Sequence, residues 1–432
     1  MITQKEIHIE APFAMPAIKV PDFVQCGEKL ITDFGAESGN QAKTTRAIAS
    51  AIADANANGG GTIIFPKGEW PTAKVHLKSN VHLHLRESAT LVFSENPDDY
   101  LPPVHTSWEG LECYNYSPLI YAFECENIAI TGEGELRAKM DVWEQWFPRP
   151  EPHMQSLKDL YFLAARNTPV EERQMVKEGA NLRPHFLQFN RCRNILLEGI
   201  SIQNSPFWTI HVYLSKDVAI KNVKVRALGH NNDGVDPEMS ENVLIEDCVF
   251  DQGDDAIAIK SGRNQDAWRL NAPCKNIIMR NCTVKNGHQL VAIGTELSGG
   301  IENVFIDNCT VVDGAKLDHL LFIKTNERRG GFVHNVHLRN IAAGNINQGI
   351  LGIETDVLYQ WRHLVPTIER RLTPIADVFL TNIKAASVRF VSKILGQAEL
   401  PVDNVHLQNV IADSVHEKEH IHENLNMFHQ VK

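Results

Sequence analysis

A nine-residue unit recurs along most of this 432-residue chain: Asn or Asp, apolar, any, apolar, any, Asn or Asp, apolar, any, apolar. It reads NILLEGISI from Asn194, DVAIKNVKV from Asp217, NVLIEDCVF from Asn242 and NIIMRNCTV from Asn276. It continues as NVFIDNCTV from Asn303, NVHLRNIAA from Asn335, DVFLTNIKA from Asp377 and NVHLQNVIA from Asn404, with weaker forms at Asn80 and Asn127. Between the strong units the spacing runs from 23 residues (Asn194 to Asp217) to 42 (Asn335 to Asp377). Periods of this size mark a solenoid. The alternation inside each unit has period two, so the units are strands.

Six positions after each leading Asn or Asp stand Ile200, Val223, Cys248, Cys282, Cys309, Ile341, Ile383 and Val410. This column is apolar throughout and predicts one inward-facing stack. One position earlier stand Gly199, Asn222, Asp247, Asn281, Asn308, Asn340, Asn382 and Asn409. Asparagines in register stack amide on amide and tolerate a left-handed backbone. Both columns predict an all-β, single-domain right-handed parallel β-helix spanning 1–432. A leucine-rich horseshoe would need a recurrent leucine signature, and a propeller needs four strands per repeat. The open sheet edge at the start must be covered. An N-terminal cap over about 25–62 fits: Thr44 or Thr45 caps a helix, Ala47, Ile48, Ala51, Ile52 and Ala55 form its apolar stripe, and Gly59 to Gly61 stop it.

Residues 139–182 break the repeat with Trp143, Trp146, Phe147, Tyr161 and Phe162, followed by a helix-like VEERQMVKEGA. This insertion reads either as packing on the outside of the solenoid or as a wall of a binding cleft. Three of the eight cysteines occupy the inward column, where cysteine acts as a small apolar residue. With no C-x-x-C pair, zinc is not expected. No apolar run approaches membrane-spanning length. The segment MITQKEIHIEAPF is not a signal peptide, which leaves a cytoplasmic protein, or a periplasmic or secreted one whose leader is absent from this chain. A net charge of −11 argues against nucleic acid and repels polyanions at long range, so an acidic ligand must meet a local basic patch.

Solenoid phase also locates the chemistry. Asp254 lies twelve residues after Asn242, and His288 lies twelve after Asn276. Equal phase makes them neighbours on coils about 4.8 Å apart. Asp255 follows on the same strand edge, and Asp233 belongs to the coil before. The strands AIAIKSG, LVAIGTE and LFIKTNE align so that Lys260 and Lys324 share a phase with Gly294 between them. An Asp-Asp pair alone equally suits a turn or a calcium site. With His288 and two lysines in phase, the pattern suits acid/base chemistry. Crowded carboxylates raise at least one pKa and leave the others anionic, as glycoside hydrolysis requires. Asp236 reads as a cap on the turn before Pro237 or as a fourth acid. His211 shares its phase and reads as a cleft residue or a buried one.

These residues carry a resemblance to the polygalacturonase family of glycoside hydrolases, family 28, whose solenoid is pectin-lyase-like. The motifs appear as Asn231-Asn232-Asp233, Gly253-Asp254-Asp255 and Gly287-His288-Gln289, the last without its final glycine. ITDFGA, GGGTIIFPKGEW, WEGLECYNYSPLIYA, FWTIHVYL and TNERRGG resemble the bacterial exo-acting branch. The resemblance implies an inverting hydrolase of α-galacturonosyl bonds in pectic polysaccharide or oligosaccharide, attacking from a chain end without metal or cofactor. It implies Asp254 as general acid, Asp233 and Asp255 as activators of water, His288 as support for the acid and Lys324 at the substrate; Lys260 and Asn231, and His211 by its phase, are further candidates for substrate binding. The family's Arg-Ile-Lys motif reads Phe322-Ile323-Lys324 here. Phenylalanine cannot clamp a carboxylate. Either Arg328 or Arg329 takes over, or Phe322 packs on a neutral sugar such as rhamnose, making the substrate rhamnogalacturonan. A polysaccharide lyase and a non-catalytic carbohydrate-binding solenoid are the rivals from other classes.

Overall fold

A computed structural model of the chain describes residues 2–431. Its strands coil into a right-handed parallel β-helix, as expected for parallel strands joined by crossovers within one sheet. One sheet stacks eleven short strands, among them Ile210–Tyr213, Val235–Glu238, Ile257–Ile259, Gln289–Gly294 and His319–Lys324. A larger sheet is built from the repeat units. Apolar side chains between the sheets form one continuous core, and every residue of the predicted inward column is at most 2% exposed. All eight cysteines are free, and Cys248, Cys282 and Cys309 lie in that core.

The predicted asparagine column adopts the left-handed backbone from Asn222 to Asn409. Its amides bond coil to coil, as in Asn308 Nδ2 to Asn281 Oδ1 at 2.8 Å. The leading residue of each unit forms a second ladder: Asn194 donates to Asn127, Asn276 to Asn242 and Asn303 to Asn276. The first ladder is exposed, whereas the second is partly or fully buried, and there the bonds satisfy amides that would otherwise be buried unpaired.

Helix Gln41–Ala57 covers the first coil with Ala47, Ile48, Ala51, Ile52 and Ala55 buried. Its cap is Asn40, whose side chain accepts from Lys43 N, and not Thr44 or Thr45. The apolar stripe starts a turn late because the first turn, Gln-Ala-Lys, is polar. Thr44 is inside the helix, and its hydroxyl donates to Glu37 O at 3.0 Å.

The insertion differs more. Its helix is Glu151–Ala165, with Pro150 at the cap and an inner face of His153, Leu157, Leu160, Tyr161 and Ala164. VEERQMVKEGA is a single 3-10 turn at Val170–Glu172 followed by extended chain. Its backbone bonds go to a neighbouring hairpin strand, through Tyr114 N to Arg173 O and Met175 N to Tyr114 O. That hairpin, Val104–Trp108 with Leu111–Asn115, lies against the sheet that carries the candidate acids. No helix among the described residues is long and apolar enough to cross a membrane.

Candidate active site

Stacking brings the predicted acids together. Gly234 N donates to Asp255 O at 3.0 Å, and Val235 pairs with Ile257, so Asp233 lies in register with Asp255. One coil on, His288 N donates to Asp254 O at 2.9 Å, which puts the imidazole beside Asp254. Asn232 shapes the turn that presents Asp233: its Oδ1 accepts from Gly229 N and its Nδ2 donates to Ser205 O and Phe207 O. Asn231 has φ +57° and accepts from Arg183 at 2.9 Å. Lys260 and Lys324 flank Gly294, as their phase predicted. Gly294 has φ +87°, and a Cβ there would lie 2.2 Å from Lys324 O, so any side chain would force the two coils apart.

Asp233, Asp254, Asp255, His288, Lys260, Lys324, Asn231 and Phe322 line one cleft of about 420 Å³, within the range of about 300–1,000 Å³ usual for small-ligand sites. His288 Nδ1 donates to Asp254 Oδ1 at 3.1 Å. Lys324 Nζ lies 3.5 Å from Asp255 Oδ2. Lys260 Nζ lies 3.7 Å from Asp233, 3.6 Å from Glu296 and 4.5 Å from the centre of the Trp208 ring.

The protonation pattern follows from these neighbours. Burial alone would raise Asp254, but the His288 hydrogen bond and the charges of His288, Lys324 and Lys260 hold it below the usual carboxylate range. The same hydrogen bond pushes His288 up to about 9. Burial, reinforced by the charge of Asp254, raises Asp233 against Lys260, and burial raises Asp255 against Lys324. In the free site, then, Asp254 is ionised against an imidazolium, and carboxyl protons are held more tightly on the Asp233 and Asp255 side. The sequence-level expectation of unequal carboxylates holds, but the raised ones are those to which the resemblance gives the water.

Three predicted binding residues are not at the cleft surface. His211 is fully buried beneath the hairpin, between Gln188 at 2.9 Å and Glu238 at 2.8 Å. It pairs with Asp236 as its phase required, but the hairpin, outside the repeat, roofs it over. Arg328 is buried with Thr367 and the Trp361 carbonyl, and Arg329 with Thr295 O and Asn264 Oδ1. Neither guanidinium is available to replace the motif arginine. Phe322 stacks on His319 with centroids 4.5 Å apart and presents the remainder of its ring to the cleft. Asp236 is not a turn cap, since it lies inside strand Val235–Glu238 and is fully buried.

The cleft also holds residues that the repeat did not reveal. Arg149 comes from the insertion, Glu109 from the hairpin tip, and Arg263 and Glu296 from coil ends. Arg263 is ion-paired to Glu296 and, at 3.4 Å, to Glu109. The insertion thus both packs, through Trp143 in the core, and lines the cleft, through Arg149. Glu296 was findable, because it shares a phase with Gly262 and Asn326. Arg149 and Glu109 carry no such signal. The cleft is not a basic patch, because Glu109, Asp233, Asp254, Asp255, Glu296 and Asp318 line it beside its cations; Arg149, at 26% side-chain exposure, and Lys324, at 13%, are the more open of those cations.

The model for glycosyl hydrolases family 28 matches residues 171–430. A hyperthermoactive exopolygalacturonase from Thermotoga maritima superposes with a TM-score of 0.85 at 35% identity, over 96% of this chain and 93% of that one. An exo-poly-alpha-D-galacturonosidase of Dickeya chrysanthemi is 26% identical over 73% of this chain and 55% of its own length. A probable polygalacturonase of Vitis vinifera is 26% identical over 72% and 60% respectively. The chain therefore spans little more than half the length of these two curated relatives. Fold, motif positions and both kinds of match agree: this chain belongs to the glycosyl hydrolases family 28.

Proposed function

We propose that this protein hydrolyses α-linked galacturonosyl bonds in pectic polysaccharide or oligosaccharide, from a chain end and with inversion. One observation carries the reading: three aspartates in unequal environments share a single cleft with Lys324 and Arg149, cations suited to a uronate carboxylate. The Thermotoga exopolygalacturonase, similar over nearly its whole length, supports the exo assignment. A polymeric pectic substrate places the work outside the cytoplasm.

Asp254 protonates the glycosidic oxygen, and His288 supplies its proton. In the free site the pair holds that proton on His288. A substrate carboxylate at Lys324 neutralises a cation that keeps Asp254 ionised and displaces water from it, and both effects move the proton toward Asp254. Asp233 and Asp255 orient water on the opposite face of the sugar and take its proton, which fits their raised affinity for one.

The sign of the pH effect follows. With His288 present, the pair retains its proton until pH rises through about 9. In His288→Gln, Asp254 must hold the proton alone and releases it at lower pH. The descending limb of kcat/KM against pH should therefore move toward acid, with activity surviving best at low pH. An unmoved limb would remove His288 from the proton path.

The substrate test is product analysis over time on homogalacturonan and rhamnogalacturonan oligosaccharides side by side. Early release of galacturonate from homogalacturonan is expected. Mixed early oligomers would refute the exo reading, and cleavage confined to rhamnogalacturonan would refute the substrate.

A further inference from the structure

Asp236 has no place in the scheme above, yet it is among the most unusual groups in the molecule. It is fully buried, and neither carboxyl oxygen has a hydrogen-bond donor among the described residues. An ionised carboxylate is acceptor-only, and burying one without donors is strongly unfavourable.

Its surroundings sharpen the problem. From its own coil come Asp233, in the turn just before the strand, whose carboxyl it touches, and Glu238 on the strand itself. From the coil before comes His211, held neutral by burial and by the charge of Lys260, its Nε2 2.8 Å from Glu238. From the coil after comes Lys260, with Nζ 3.8 Å from Asp236, 3.7 Å from Asp233 and 3.6 Å from Glu296. One ammonium thus serves three carboxyl groups and hydrogen-bonds none of them, since every separation exceeds 3.5 Å. Three buried anions around one cation cannot all persist. Glu296 is held ionised by Lys260 and Arg263 despite its burial. The retained proton therefore belongs to the touching pair, Asp233 and Asp236. Asp233 opens on the cleft, whereas Asp236 is sealed beneath it.

We propose that Asp236 is a positioning residue that stays protonated and donates its hydroxyl to Asp233, fixing Asp233 as an anion aimed at the reacting water. The proposal rests on the hydrolase reading for its kinetic consequence but not for the proton itself. A donor to Asp233 lowers the proton affinity of Asp233, so Asp233 is ionised at lower pH than its burial would otherwise allow.

Two substitutions separate a neutral donor from an anionic partner of Lys260. Asp236→Asn keeps a donor toward Asp233 and an acceptor toward Lys260, and should retain kcat within about threefold of the parent. Asp236→Leu removes the donor. It should lose about tenfold or more in kcat with KM little changed, and its ascending pH limb should move upward by about one to two units. Equal losses in both variants, or none in either, would overturn the proposal. Infrared spectroscopy reads the proton directly, without substrate and without requiring Asp236→Leu to fold. At neutral pH the parent should show a neutral-carboxyl C=O band that disappears in Asp236→Asn. Absence of that band in the parent would also overturn the proposal. Failure to cleave galacturonan with the band intact would count against the functional reading alone.

Discussion

Asp254→Asn is expected to lower kcat by about a thousandfold, within the range of about 10²–10⁴ typical of a lost general acid. Asparagine fills the same volume and still accepts from His288 Nδ1, now 3.1 Å away, so the fold and KM should change little. The loss should be largest for substrates with a poor leaving group. On an aryl galacturonide, whose leaving group needs little protonation, it should shrink toward the parental rate. Steady-state kinetics on the two substrate types checks this. A loss of the same size on both would mean that Asp254 does something other than protonate the leaving oxygen.

The largest stability effect is expected away from the acids, at Arg173→Met. Arg173 Nη1 donates to Asp266 Oδ2 at 2.6 Å, and both side chains are 1% exposed. The same carboxylate accepts from Glu112 N on the hairpin, while Arg173 also donates to the carbonyls of Thr168 and Glu112. This network ties the insertion and helix Asn264–Leu270 to the hairpin that carries Glu109 into the cleft. Methionine fills the space of the side chain but leaves Asp266 with a weaker partner, Arg269 at 3.3 Å. Removing one member of a buried ion pair costs about 3–5 kcal/mol. Denaturant midpoints should fall accordingly, and hydrogen exchange should show the hairpin and insertion opening before the coils. An unchanged midpoint would mean that water or a moved arginine reaches Asp266.

How much of this was legible in the sequence depended on whether a residue belonged to the repeat. In a parallel coil, sequence offset from the repeat becomes vertical position. The contacts of Asp254 with His288 and of Asp233 with Asp255, and the placing of Lys260 and Lys324 around Gly294, could therefore be read without coordinates. Segments outside the repeat have no such ruler. His211 was correctly phased, and of its two readings the buried one holds; the hairpin that covers it has no repeat signature and could not decide between them from sequence. Arg328 and Arg329 looked like stand-ins for the lost motif arginine, but the loop beyond strand Gly349–Glu354 folds back and takes up Arg328. VEERQMVKEGA has helical composition, yet its backbone pairs with the hairpin, and tertiary contact overrides local propensity. Arg149, the insertion's contribution to the cleft, was invisible for the same reason.

The loss of the motif arginine at Phe322 now has a different setting. Phe322 is stacked on His319 and 9% exposed, while Arg149, Arg263, Lys260 and Lys324 still surround the cleft. On the proposed function, these cations would meet a substrate carboxylate without the missing arginine.

The central claim is that Asp254 on one side and Asp233 with Asp255 on the other carry out a single displacement by water. Proton NMR of the first product released from an α-linked galacturonate oligosaccharide, followed faster than mutarotation, tests it most directly. The account predicts the β-anomer of galacturonate first, with the α-anomer growing in later. The α-anomer appearing first, or an unsaturated product, would contradict it.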